Sequence, residues 1–122
     1  MSEFLYSTTH LWFEFENGVV KIGITDHLKK RISPSFINVP EKGSILKTQD
    51  AIGILESNKA TYELIIPFTC KILERNKDLL SHPLLIAEQE ESLNWLCTAE
   101  ICDEKWNSDL MDFDDYQDYI EP

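Results

Sequence analysis

The sequence predicts a mainly β fold: a small sandwich or barrel of short strands with a helical C-terminus. Three observations predict it. Apolar residues alternate over short runs through most of the chain, as half-buried strands require. Turn-forming residues interrupt these runs at intervals of roughly ten residues. Beyond Cys102 the period changes, and Trp106, Leu110, Phe113, Tyr116 and Ile120 recur at helical spacing. At 122 residues the chain has the length of one domain. Residues 1–122 are expected to form a single domain, with 103–122 as its C-terminal helical segment.

The elements follow in order. Leu11–Phe15 and Val19–Ile24 flank Asn17-Gly18. Both central residues of a type I′ turn need positive φ, so this is a hairpin. Thr25 is the expected N-cap of a short helix near 26–32, and Asp26 favours its first turn. Leu28 and Ile32, four apart, share one side of it, and Ser33-Pro34 ends it. Phe36–Val39 reads as a strand and Pro40-Glu41-Lys42-Gly43 as a turn. Ala51–Glu56 and Tyr62–Ile66 form a second hairpin through Ser57-Asn58-Lys59-Ala60-Thr61, with Asn58 and Lys59 at its tip. Pro67 ends the return strand. Lys71–Glu74 is a short strand, and Asn76-Lys77-Asp78 a turn. Leu79-Leu80 and Leu84-Leu85-Ile86 flank His82-Pro83. From Leu93 to Ile101 the chain alternates, with Leu93, Trp95, Cys97, Ala99 and Ile101 on one face. The tail 103–122 holds eight acids and one Lys. Trp106, Phe113, Tyr116 and Tyr119 are expected to dock it as an amphipathic helical segment.

The charge balance, 11 basic against 22 acidic residues, gives a net charge of −11. Phosphate backbones and anionic lipid surfaces repel such a chain, so neither nucleic acid nor membrane is expected as a partner. Protein partners with basic docking surfaces are expected instead. No apolar run approaches the roughly 20 residues of a membrane span. Met1-Ser2-Glu3-Phe4-Leu5-Tyr6 has neither the basic start of a signal peptide nor the Arg-rich look of a transit peptide. Cys70, Cys97 and Cys102 cannot all pair within one chain. An odd count without an export signal reads as reduced thiols in the cytoplasm. Their spacing suits no zinc site, and small buried side chains are the expected role.

The pattern does not favour an enzyme. His10, His27 and His82 are scattered, and no phosphate-cradling glycine loop, HExxH or GxSxG is present. Asp26-His27 reads as a solvated helix start, and Glu88-Gln89-Glu90-Glu91 as a solvated loop. Lys59 at the second hairpin tip is the remaining candidate. Taken alone it is an ordinary surface lysine.

Its surroundings change that reading. Glu56-Ser57-Asn58-Lys59-Ala60 resembles the acceptor hairpin of the glycine cleavage system H protein family, whose usual string is E-S-V-K-A. Five further segments match in the same order. Tyr6 to Trp12 resembles the family's opening, and Gly23-Ile24-Thr25-Asp26 its G-I-T-D motif. Val39-Pro40-Glu41-Lys42-Gly43 resembles its L-P-E-x-G turn. Trp95-Leu96 and the acidic aromatic tail resemble its late strand and C-terminal helix.

The resemblance implies a lipoyl-domain-like flattened β-barrel or sandwich, a barrel-sandwich hybrid. It implies lipoic acid joined by an amide to Lys59, with Glu56 orienting the hairpin for the ligase. The implied partners are glycine decarboxylase, aminomethyltransferase, dihydrolipoyl dehydrogenase, and a lipoate ligase or octanoyltransferase. The carrier is expected to be monomeric and to catalyse nothing itself.

Several positions depart from the family's pattern. Leu11 stands where an acid is usual, and Ile32-Ser33-Pro34 where Leu-Gly-Asp is usual. Asn58 replaces an aliphatic residue, Thr61 an Ala, and Thr69-Cys70 a Ser-Gly. Residues 87–94 replace an Asn-x-Asp-Pro-Tyr-Gly loop that in the family lies near the arm's resting cleft. The alternatives are a donor in lipoate relay to 2-oxoacid dehydrogenases, a carrier for another redox system, and an unmodified structural relative. A biotinyl carrier would show Met-Lys-Met, which is absent.

Overall fold

The structure is a computed structural model, and it describes residues 3–32 and 34–121. Its strands are β1 (Glu3–Tyr6), β2 (Leu11–Glu16), β3 (Val19–Ile24), β4 (Phe36–Asn38), β5 (Ile45–Leu46), β6 (Ala51–Glu56), β7 (Thr61–Ile65), β8 (Cys70–Arg75) and β9 (Trp95–Ile101). The helices are α1 (Asp26–Arg31), α2 (Lys77–Ser81), α3 (Leu85–Glu88) and α4 (Phe113–Ile120), with a 3₁₀ turn at Glu91–Leu93. All strand pairs are antiparallel. One sheet runs β1-β2-β3-β9-β8-β5 and the other β4-β6-β7. The two sheets do not close into a barrel, and the mainly β sandwich read from the sequence is the architecture found.

Alternation explains the core. Phe13 of β2, Ile22 of β3 and Ile72 of β8 join Leu55 and Leu64 of the smaller sheet and Phe68 in one fully buried cluster. The Phe13 and Phe68 rings lie 5.4 Å apart. Asn17 and Gly18 take φ of 54° and 79°, as the type I′ turn of the β2–β3 hairpin demands. Gly23, opposite Trp12, leaves room for the indole: a Cβ at Gly23 would overlap the ring.

The structure corrects several expectations. β1 and β5 are additional strands, with four and two residues, too short to show alternation. Asn76 does not make a turn. It caps α2, accepting from the Leu79 N–H at 3.4 Å and donating to the Trp95 carbonyl at 2.9 Å. α3 forms where no element is expected. Leu93 lies in the 3₁₀ turn and is exposed, so the late strand starts at Trp95. Leu96 is buried beside Cys97, because the β3–β9 register shifts at Ile22/Gly23. Within the tail, the helix is Phe113–Ile120, preceded by turns over 104–109. Tyr116 is buried against Tyr6 and Trp12, and the Trp106 ring lies 4.1 Å from Phe15, while Phe113 and Tyr119 stay exposed. Before the helix, Met111 bridges Tyr6 through two backbone hydrogen bonds of 2.8 Å. The expected helix stop at Ser33-Pro34 falls partly on Ser33, outside the described residues; α1 ends with Ile32 as its C-cap.

Candidate functional site

The β6–β7 hairpin pairs Glu56 with Thr61 and Leu55 with Tyr62. Ser57 closes its tip. The Ser57 N–H donates to the Ala60 carbonyl at 2.9 Å. The Ser57 hydroxyl oxygen accepts from the N–H groups of Ala60 at 3.2 Å and Lys59 at 3.4 Å. A serine side chain thus replaces the glycine a tighter turn would need. Neither Asn58 nor Lys59 adopts positive φ. Lys59 is exposed at the tip, where the sequence places it. Glu56 is also exposed, at the hairpin's base. There its carbonyl accepts from the Ser35 N–H at 2.7 Å, and β4 pairs alongside it through Phe36.

Beside the tip lies a cleft of about 580 Å³, lined by His10, Leu28, Arg31, Ile32 and Tyr62 together with tip residues 57–61. α1 forms one wall, and its placement follows from its N-terminus. Thr25 caps it, accepting from the Leu28 N–H at 3.3 Å. The Thr25 hydroxyl donates to the His10 carbonyl at 2.9 Å. The Glu91 carboxylate accepts from the Asp26 N–H at 2.7 Å, and Lys29 donates to the Gln89 carbonyl at 3.0 Å. Within the acidic run at 88–91, Glu88 and Glu90 are exposed as expected, whereas Gln89 and Glu91 are half-buried and hold α1. Burial raises the Glu91 carboxyl above the ordinary range, against the lowering effect of the Asp26 N–H. Residues 87–94 pack on α1 and on Trp12, and none of them lines the cleft.

His10 also lines the cleft, from a left-handed φ of 71°. Its Nδ1 lies 2.9 Å from the Tyr116 hydroxyl, which lies 3.1 Å from the Thr25 hydroxyl. The Thr25 proton is spent on the His10 carbonyl, so Tyr116 donates to Thr25 and accepts from His10 Nδ1–H. The His27 ring lies 4.5 Å from His10. Asp26 does not pair with His27; its carboxylate is 3.8 Å from Lys29. Burial holds both imidazoles below their ordinary pKa. His27 and Arg31 add to this at His10, and Arg31 and Lys30 add to it at His27. Burial pushes the Tyr62 phenol up, and its hydroxyl donates to the Thr9 carbonyl at 3.1 Å.

The acidic net charge does not describe this face. Lys29, Lys30 and Arg31 fill the last turn of α1, and among the described residues no carboxylate lines the cleft. Leu11, at the position where an acid is usual, is fully buried in the core. Sequence reasoning missed His10, Arg31 and Tyr62. The three are far apart in the chain, and only Arg31 carries a legible signal, as part of a basic run in an acidic protein. The thiols divide. Cys70 and Cys97 are buried, and burial pushes Cys70 up to about 12, but Cys102 is exposed rather than part of the core.

Two sheets that present an exposed lysine on a braced hairpin, beside a cleft lined by apolar, aromatic and cationic side chains, have the form of a carrier domain. The comparisons narrow the class. The family model for the glycine cleavage H-protein matches residues 4–122. The glycine cleavage system H protein of Oceanobacillus iheyensis is 34% identical over 120 residues, covering 98% of this chain and 95% of the relative. That of Thermotoga maritima is 34% identical over 115 residues, covering 93% of each. A crystal structure of a glycine cleavage system H protein from Mycobacterium marinum superposes with a TM-score of 0.85 at 24% identity, covering 95% of this chain and 94% of that one. The chain belongs to the glycine cleavage H-protein family.

Proposed function

We propose that this chain is a lipoyl carrier of the glycine cleavage system, with lipoic acid attached to Lys59. It shuttles an aminomethyl group and reducing equivalents between glycine decarboxylase, aminomethyltransferase and dihydrolipoyl dehydrogenase, and catalyses no step itself. Family membership supports the system. The exposure of Lys59 at a self-closed tip beside the cleft is the observation that supports the site.

The chemistry asks little of the fold beyond presentation. A ligase or octanoyltransferase activates the acyl carboxyl, and the neutral Lys59 amine attacks it. The C–N bond forms, the activating group leaves, and the lysine charge is lost. The product is a long arm whose tethering keeps its cargo at high effective concentration near each partner. Glu56 holds the base of the hairpin and is the proposed contact for the modifying enzyme. The proposed compartment is the cytoplasm, where three unpaired thiols stay reduced.

Incubation with lipoate ligase, ATP and lipoate, read by intact mass, tests the reading. One lipoyl group is expected on the unaltered chain and none on Lys59→Arg. Glu56→Ala is expected to slow the addition. A lipoyl group on Lys59→Arg would overturn the acceptor. An unaltered chain that gains none would favour the unmodified relative.

A further inference from the structure

We propose that Phe36, on the strand beside the acceptor hairpin, is the apolar anchor on which the enzyme that acylates Lys59 seats itself. The proposal rests on the lipoyl-carrier reading and assigns a surface by which the modifying enzyme selects its lysine.

Exposure alone cannot select Lys59, because Lys42, Lys47, Lys71 and Lys77 are exposed too. The surface around the acceptor has to distinguish it. Antiparallel partners in register share a face, so Phe36, Glu56 and Thr61 form one row across β4, β6 and β7, and Asn38, Ile54 and Glu63 form the next. The intervening residues Ile37 and Leu55 point into the core. The row at the hairpin's base therefore faces solvent, and Phe36 is 52% exposed. Other large apolar side chains are exposed, Phe4, Ile45, Leu84 and Phe113 among them. Of the described residues, Phe36 alone among these belongs to the sheet that carries Lys59.

The ring is held in place relative to the tip. The Ser35 N–H and hydroxyl both donate to the Glu56 carbonyl, at 2.7 and 3.2 Å, and tie β4 to the hairpin. Lys59 lies two rows beyond Glu56, so strand and residue spacings put Phe36 roughly 10–12 Å from it, backbone to backbone. A standard interface covers about 800 Å² on each partner, enough to reach from the acceptor to the ring.

The site of each reaction identifies the occupant. The enzymes that load, unload and reoxidise the arm work at its far end. Acylation happens at Nζ of Lys59 itself, so the acylating enzyme has to close over the tip and onto its base. Glu56 and Glu63 share the outer face with Phe36, and both are exposed. Among the described residues the only ion pair is Lys29–Asp26, so neither glutamate is neutralised within the chain. This face matches a partner surface with an apolar pocket bordered by cations.

Lipoate ligase with ATP and lipoate tests the assignment, with initial rates read by intact mass at varied concentrations of the chain. Phe36→Ser is expected to raise KM about tenfold, as truncation of one interface anchor does, and to leave kcat little changed. Phe36→Tyr, which keeps the ring, is expected to match the unaltered chain. Ile45→Ser, at an exposed apolar position on the other sheet, is expected to do the same. An unchanged KM for Phe36→Ser would overturn the proposal, and so would an equal rise for Ile45→Ser. Titration of ligase into the Lys59→Arg chain, with Phe36 intact, decides the question even if Phe36→Ser fails to fold. There the Phe36 ring resonances are expected to shift or broaden together with the amides of the tip. Undisturbed ring signals beside a perturbed Ala60 amide would overturn the proposal. If ligase adds no mass to the unaltered chain, the carrier reading falls and the anchor with it. If it adds one lipoyl group to Phe36→Ser with unchanged KM, the anchor falls alone.

Discussion

Gly23→Ala is the sharpest test of how the site is built. The new methyl would overlap the Trp12 indole at Cε2 and Cζ2. Trp12 is 2% exposed and cannot swing outward freely. Its Nε1–H is shared between the carbonyls of Ile24 at 3.1 Å and Glu91 at 3.2 Å. Overpacking of this kind costs about 1–3 kcal/mol, and losing the two hydrogen bonds about 1 kcal/mol each. Replacing a strand glycine returns roughly 0.5–1 kcal/mol. The net expectation is a loss of about 2–4 kcal/mol, a large part of the 5–15 kcal/mol typical of a domain. Urea unfolding should show a midpoint lowered by roughly 1–3 M, from the slopes usual for small proteins. The damage should reach the cleft, because Glu91 also holds the first turn of α1. A double-mutant cycle with Trp12→Leu isolates the clash: in that background Gly23→Ala should cost little. Additivity within about 0.5 kcal/mol would refute the steric argument.

Other expectations can be checked alongside. Leu28→Ala, at a fully buried position that also faces the cleft, should cost about 2–5 kcal/mol by urea unfolding. Tyr116→Phe removes the hydroxyl between His10 and Thr25 and should cost about 1–2 kcal/mol by the same measurement. Between pH 7 and pH 5 stability should fall. His10 and His27 have folded pKa values below the ordinary 6.5, so the unfolded chain binds more protons as pH drops through 6.5. Glu91 works with the opposite sign nearer 4.5, where its raised carboxyl favours the folded state. The double variant His10→Asn, His27→Gln should flatten the slope in stability-versus-pH curves; asparagine tolerates the left-handed backbone at position 10. A thiol reagent should titrate Cys102 in the native protein, and Cys70 and Cys97 only after unfolding.

Local chemistry made some of this legible in the sequence. Asn17-Gly18 announces its turn because few residues accept positive φ, and Thr25 announces α1 because a hydroxyl can take an orphan N–H. Lys59 was placed by the two β-rich runs on either side of it. What stayed hidden depends on contacts distant in the chain. Glu91 reads as one more surface acid, yet it is 65 residues from the N–H it holds. His10 gains its role only when Tyr116, 106 residues away, folds back onto it. The capping role of Asn76 is local but ambiguous, since the residue type that opens a helix also makes a turn. The basic character of the cleft was masked by the net charge, which averages a cationic helix turn with an acidic tail.

The bridge between Tyr6 and Met111 bears on the open margin of the larger sheet. β1 is the outer strand of the larger sheet, and its free side presents the groups through which sheets of separate chains can join. At Tyr6 the chain's own tail occupies both of those groups. Beyond it the acidic helix sets like charge along the approach. At the opposite margin β5 is only two residues long, too short to serve as a template. A chain cut before Met111 would free the Tyr6 N–H and carbonyl on the outer strand, and it is expected to self-associate more than the full chain, which size-exclusion chromatography would read.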